Sequence, residues 1–259
     1  MEFDPVDYPG QRAPIDPAAP RRDLWTYGDL AKFVLFSLAA QIVCFIFAIF
    51  AIPILFSVAE RYLGVGYDVK TVEAYVLVVV TAVSAVLSLA YVYYVVAIRY
   101  QLPFWEALGF TPFRRRMYWF LLLGAVISVV EGLVGVLIGV PEDTPFAEML
   151  SDRGTYLLMG ALAIFIAPLF EEVLFRGFLY RPLERSWGPW GAIAVTSVIF
   201  SLLHGSQYAW SWQILLLLTL AGVWLGVARW KTGSFWPPIL LHGGANAVSV
   251  VAFGVESFA

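Results

Sequence analysis

FVLFSLAAQIVCFIFAIFAIPILFSVA, residues 33–59, contains no charged side chain. As a helix rising 1.5 Å per residue it would extend roughly 40 Å, more than the ~30 Å hydrocarbon layer of a bilayer. Outward from it the pattern repeats. Uncharged runs cover about 74–98 and 117–140, the latter interrupted only by Glu131; a fourth candidate span begins near Gly154 and continues helically past Glu171 to about Arg185, and three more lie near 188–205, 211–228 and 234–255. Of the 259 residues 61% are hydrophobic and 14% charged, against roughly 45–50% and about 25% in soluble domains. A soluble core could not hide so much apolar surface, so lipid is the solvent. The fold class expected is all-α, a polytopic transmembrane bundle of about seven spans, with an eighth or a re-entrant piece as the alternative.

Lys and Arg set the orientation. Arg12, Arg21, Arg22 and Lys32 precede the first run, and Arg99 with Arg114 to Arg116 follow the second. Arg176, Arg181 and Arg185 close the fourth, and Arg229 and Lys231 precede the last. The alternate loops hold only Arg61, Lys70 and Arg153, a split of 13 to 3. Positive charge collects on the cytoplasmic side, so the N-terminus should be cytoplasmic and the C-terminus outside. Residues 1–32, rich in proline and mixed charge, read as a disordered cytoplasmic tail rather than a signal peptide. Residues 33–140 form the N-terminal spans and 154–252 a membrane core. PFWEALGFTPFRRR, residues 103–116, is too short to span and should lie in the cytoplasmic interface. The near-neutral charge of −3 suggests no nucleic-acid partner. The single cysteine, Cys44, excludes an intrachain disulfide and reads as packing.

Ionisable groups inside spans cost about 2.5–3.5 kcal/mol each on insertion scales, which makes the exceptions informative. They are Glu131, Glu171, Glu172, Arg176, His204 and His242, joined by the polar Asn246; both histidines of the chain are among them. Glu131 pairs with an arginine, faces a wet cavity or serves a function. Glu172 and Arg176 are four apart on a helix and can pair, while Glu171 is turned about 100° away and lacks that partner. The bland reading is a salt-bridged helix end at the cytoplasmic surface. Phe200 and His204 share a helix face, as do His242 and Asn246. Gly205, Gly243 and Gly244 should let neighbouring helices approach closely. Counted from the cytoplasmic ends of their spans, Glu171, His204 and Asn246 come out roughly 20–24 Å inward, with His242 somewhat shallower. Pro168, just upstream of Glu171, should kink its helix.

EEVLFR at Glu171 to Arg176, FSLLH at Phe200 to His204 and HGGAN at His242 to Asn246 together resemble the motifs of the CAAX protease and bacteriocin-processing family of intramembrane endopeptidases. The similarity covers about residues 154–252. It implies hydrolysis of peptide bonds in a membrane-associated or prenylated protein or peptide, in a multi-pass protein of the cell membrane. Glu171 would be the general base acting with His204 on a water, and His242 and Asn246 would hydrogen-bond the oxyanion. Glu172, Arg176 and Phe200 would support them. No cofactor is expected. The alternative is zinc or another divalent metal on Glu171, His204 and His242, against which stand the absence of HExxH and the poor ligand quality of Asn246. No GxSG serine or pair of intramembrane aspartates points to another protease class. The remaining alternatives are a non-catalytic scaffold or immunity-type protein on the same fold, and a proton-coupled transporter, which the lack of an internal repeat disfavours.

Overall fold

The computed structural model describes residues 25–64, 66, 69–150 and 153–258. The disordered tail expected for residues 1–32 therefore lies mostly outside the described residues. Helix α1 (Tyr27–Leu63) starts six residues before the uncharged run does. The reason is a local signal: the Asp29 carboxylate accepts the Thr26 backbone N–H at 2.9 Å, closing the first turn. Asp29 also takes a hydrogen bond from the Tyr100 hydroxyl at 2.6 Å and pairs with Arg99 at 3.3 Å. Helix α2 (Val69–Tyr93), ending in a π-helical turn at Tyr94–Arg99, returns alongside α1. Their hairpin is joined to the rest at this end, where Trp25, Phe33, Val95 and Val96 pack with Leu108, Phe178 and Phe235.

The segment expected at the interface forms short α3 (Phe104–Leu108), and a 3₁₀ turn at Arg115–Tyr118 leads into α4 (Trp119–Ile138). After short α5 (Pro145–Met149), α6 (Arg153–Ala161), α7 (Ala167–Glu172) and α8 (Tyr180–Leu203) follow one another, joined by π-helical turns at Leu162–Ile166 and Val173–Leu179. A 3₁₀ turn at Gly205–Tyr208, α9 (Trp212–Thr232) and α10 (Trp236–Phe258) complete the described chain. It is an all-helical, multi-pass membrane protein. In α1 and in the α4 region only 11% of the most apolar window is buried, so their Leu, Val, Ile and Phe side chains face outward, which only lipid tolerates.

Six helices among the described residues are long and apolar enough to cross a membrane, not seven separate ones. The difference lies in Arg153–Leu203, a stretch of 51 residues. Straight, it would measure roughly 76 Å, over twice a hydrocarbon core. It is not straight: Gly188, at φ 68° and ψ 177°, occupies a conformation open essentially to glycine alone. Beyond it the chain doubles back, so that the Phe175 and Phe200 rings meet at 5.2 Å. The fourth and fifth expected spans are thus two arms of one helical run with no loop between them. Helix direction agrees. Gly124 of α4 abuts Leu241 of α10, and Ser128 reaches Ser249 at 3.3 Å, so α4 and α10 run parallel. Third and seventh crossings are parallel; third and sixth would not be.

Glycine makes that contact. A Cβ on Gly124 would strike the Leu241 carbonyl, and one on Gly244 the Leu121 carbonyl. Gly243 similarly lies close to the Ile164 carbonyl. Gly205 does not serve helix packing; its space is filled by the Trp210 ring of the same loop.

Candidate active site

Two π-helical turns bracket the short α7 that carries both glutamates. Each turn accommodates an extra residue and shifts the helical register, a device common where side chains must be re-aimed. Pro168 sits in the first turn of α7, directly after one of them, where its missing N–H does least harm. From the end of α7 into the second π-helical turn, Glu172 and Arg176 pair at 3.0 Å with neither exposed. The pair is buried, and the reading as a surface helix end is wrong. Arg176 donates its other terminal nitrogen to the Gly222 carbonyl at 3.0 Å, which ties this arm to α9. Arg176 and Arg229, two of the thirteen charges used for orientation, are interior. Arg229 donates to the carbonyls of Arg176 at 3.3 Å and Leu108 at 3.1 Å.

His242 of α10 lies between the two glutamates. Its Nδ1 is 3.1 Å from the Glu172 carboxylate oxygen that also binds Arg176, and its Nε2 is 3.8 Å from Oε2 of Glu171. The first is a hydrogen bond and the second is too long for one. Glu171 Oε2 is buried with no hydrogen-bond partner. Glu172 is therefore more than a counter-ion for arginine: it fixes the ring of His242, as second carboxylates do for functional histidines elsewhere. The 70-residue separation hid that contact from the sequence.

His204 ends α8. Its Nδ1 donates to the Phe200 carbonyl at 2.7 Å, which in the singly protonated ring leaves Nε2 as the acceptor. Phe200 is the common wall, its ring 4.6 Å from His204, 5.8 Å from His242 and 5.1 Å from the Arg176 guanidinium. Among the described residues no hydrogen bond or ion pair joins His204 to Glu171. Asn246, one turn beyond His242, donates to the carbonyl of Ala163 in the first π-helical turn at 2.8 Å, leaving a second amide hydrogen. It and His242 line a cavity of about 50 Å³. Tyr208, which the sequence reading passed over, stands in the turn after His204. Burial pushes its phenol up to about 12, and the Glu171 charge adds to this.

The structure thus gathers Glu171, Glu172, Arg176, Phe200 and His242 directly, and Asn246 and His204 through single intermediaries. Among the described residues no three His, Cys, Asp or Glu side chains gather as a metal site.

This assembly occupies the stretch where comparison with known proteins finds its match. Residues 153–248 match the family model described as Type II CAAX prenyl endopeptidase Rce1-like. The resemblance carried by the three motifs is shown over that segment. The chain is also 33% identical over 139 residues to an uncharacterized 24.3 kDa protein of Escherichia coli. That alignment takes in 50% of this chain and 62% of the relative. No solved structure matches significantly.

Proposed function

We propose that the protein is an intramembrane endopeptidase that cleaves a membrane-associated or prenylated, CAAX-type protein or peptide with a water nucleophile, in the cell membrane. The observation that carries this reading is the partly exposed Glu171 carboxylate, whose inward Oε2 has no hydrogen bond and faces, at 3.8 Å, a histidine whose far nitrogen is held by Glu172. Glu172 is fixed by both Arg176 and His242, whereas Glu171 has only the longer approach of His242 and stays open to a water.

Glu171 takes a proton from the attacking water and passes it to the leaving amine, so the Cα-side carbonyl carbon gains a hydroxyl as its C–N bond breaks. His204 Nε2 accepts the water's other hydrogen bond and aligns it. Asn246 offers its second amide hydrogen to the oxyanion. His242, its ring oriented by the Nδ1 contact with Glu172, faces the same point with Nε2. No metal enters this scheme. The test is cleavage of a farnesylated CAAX-type peptide by the full chain in proteoliposomes. Wild-type protein should cleave it and Glu171→Gln should not; equal activity of the two refutes the assignment.

A further inference from the structure

Glu131 remains outside this scheme. It lies midway along α4 in a span whose neighbours are Val130, Gly132 and Leu133. The arginine partner that would explain it is absent: among the described residues it forms no salt bridge, and its Oε1 is buried without a hydrogen-bond partner. Glu131 instead lines the same cavity as His242 and Asn246. The rest of that wall is hydrocarbon, from Ile127, Leu218, Ala221, Leu225 and Leu241. A lone carboxylate in such a wall is costly, and the cost is offset when a cation arrives to meet it. Its placement is held by the parallel, glycine-mediated contact of α4 with α10, the helix that supplies His242 and Asn246.

An apolar sleeve with one carboxyl group matches a particular shape: a hydrocarbon stem ending in an ammonium group. We propose that this cavity is a substrate subsite beside the scissile bond, and that Glu131 is a specificity residue accepting a lysine-type side chain of the substrate. The proposal rests on the protease reading for its position next to the bond, but the chemistry of the cavity is testable without it.

Two measurements on the full chain in proteoliposomes decide it. The first uses farnesylated CAAX-type peptides in which the residue before the farnesylated cysteine and each residue after it is in turn Lys or Met, of similar length, the farnesylated cysteine being kept. At one position wild-type protein should cleave the Lys peptide at least tenfold better in kcat/KM, mainly through KM, and Glu131→Gln should abolish that preference while still cleaving the Met peptide. No Lys preference at any position, or an equal fall in kcat for both peptides in Glu131→Gln, overturns the proposal; the latter marks a proton-transfer or packing role. The second measures binding of butylammonium against butanol. Butylammonium should bind wild type at least tenfold more tightly than Glu131→Gln, with butanol indifferent; equal binding overturns the subsite. Binding as expected with no peptide cleaved refutes the protease reading and leaves the cation site standing.

Discussion

Adjacent glutamates give the sharpest test at the scale of single residues. Glu171→Gln keeps size and polarity but cannot take a proton, so activity should fall about 10²–10⁴-fold with an unchanged melting curve. Glu172→Gln strands Arg176 without its counter-charge and releases the ring of His242. Breaking a buried pair costs about 3–5 kcal/mol, so this variant should lose thermal stability and yield first. A stable, inactive Glu172 variant beside an active Glu171 variant would reverse the two roles. Metal dependence is decided by elemental analysis of active, purified protein. Less than one equivalent of zinc, and activity that survives chelation, is the expected result. The division between the two glutamates was legible from helix periodicity, because one face holds Glu172 and Arg176 and the next holds Glu171. The clamp of Glu172 on His242 was not, since it depends on how α7 and α10 pack. Nor was Tyr208, which sits in a turn with no periodic signal.

Between elements, small residues and one reversed glycine do the positioning. Gly124→Val would force α4 off α10 against the Leu241 carbonyl, a contact that cannot yield by side-chain rotation. Its cost should be at least about 1–3 kcal/mol, read as a lowered unfolding temperature in detergent, and activity should drop with it as His242 shifts. An unaffected Gly124→Val protein would mean the helices tolerate separation. Gly188→Ala meets no neighbouring atom, yet its backbone angles suit glycine alone. It should lose about 1–3 kcal/mol from strain only. Hydropathy reveals where a helix is apolar but not where it turns, so the sequence divided residues 154–205 into two spans without showing that a single glycine joins them. The start of α1 was readable, because Thr26 and Asp29 form a cap signal, but counting uncharged residues passed over it.

For the whole molecule, the parallel course of α4 and α10 and the charge distribution point to seven crossings with the ends on opposite sides. In a Cys44→Ala background, single cysteines at Ala18 and Ser257 should label from opposite faces of sealed vesicles; labelling from one face would refute the odd count. The charge bias that suggests this orientation counts Arg176 and Arg229, which belong to the interior. The α4–α10 pairing also has a consequence for how the protein is made. At about 5–20 residues per second, the ribosome delivers α10 on the order of ten seconds after α4. Throughout that interval the glycine-lined face of α4 lacks its α10 partner, and the polypeptide already in the membrane has no complete site. Assembly of the site therefore waits on α10, and a nascent chain halted before it should be a substrate for quality control.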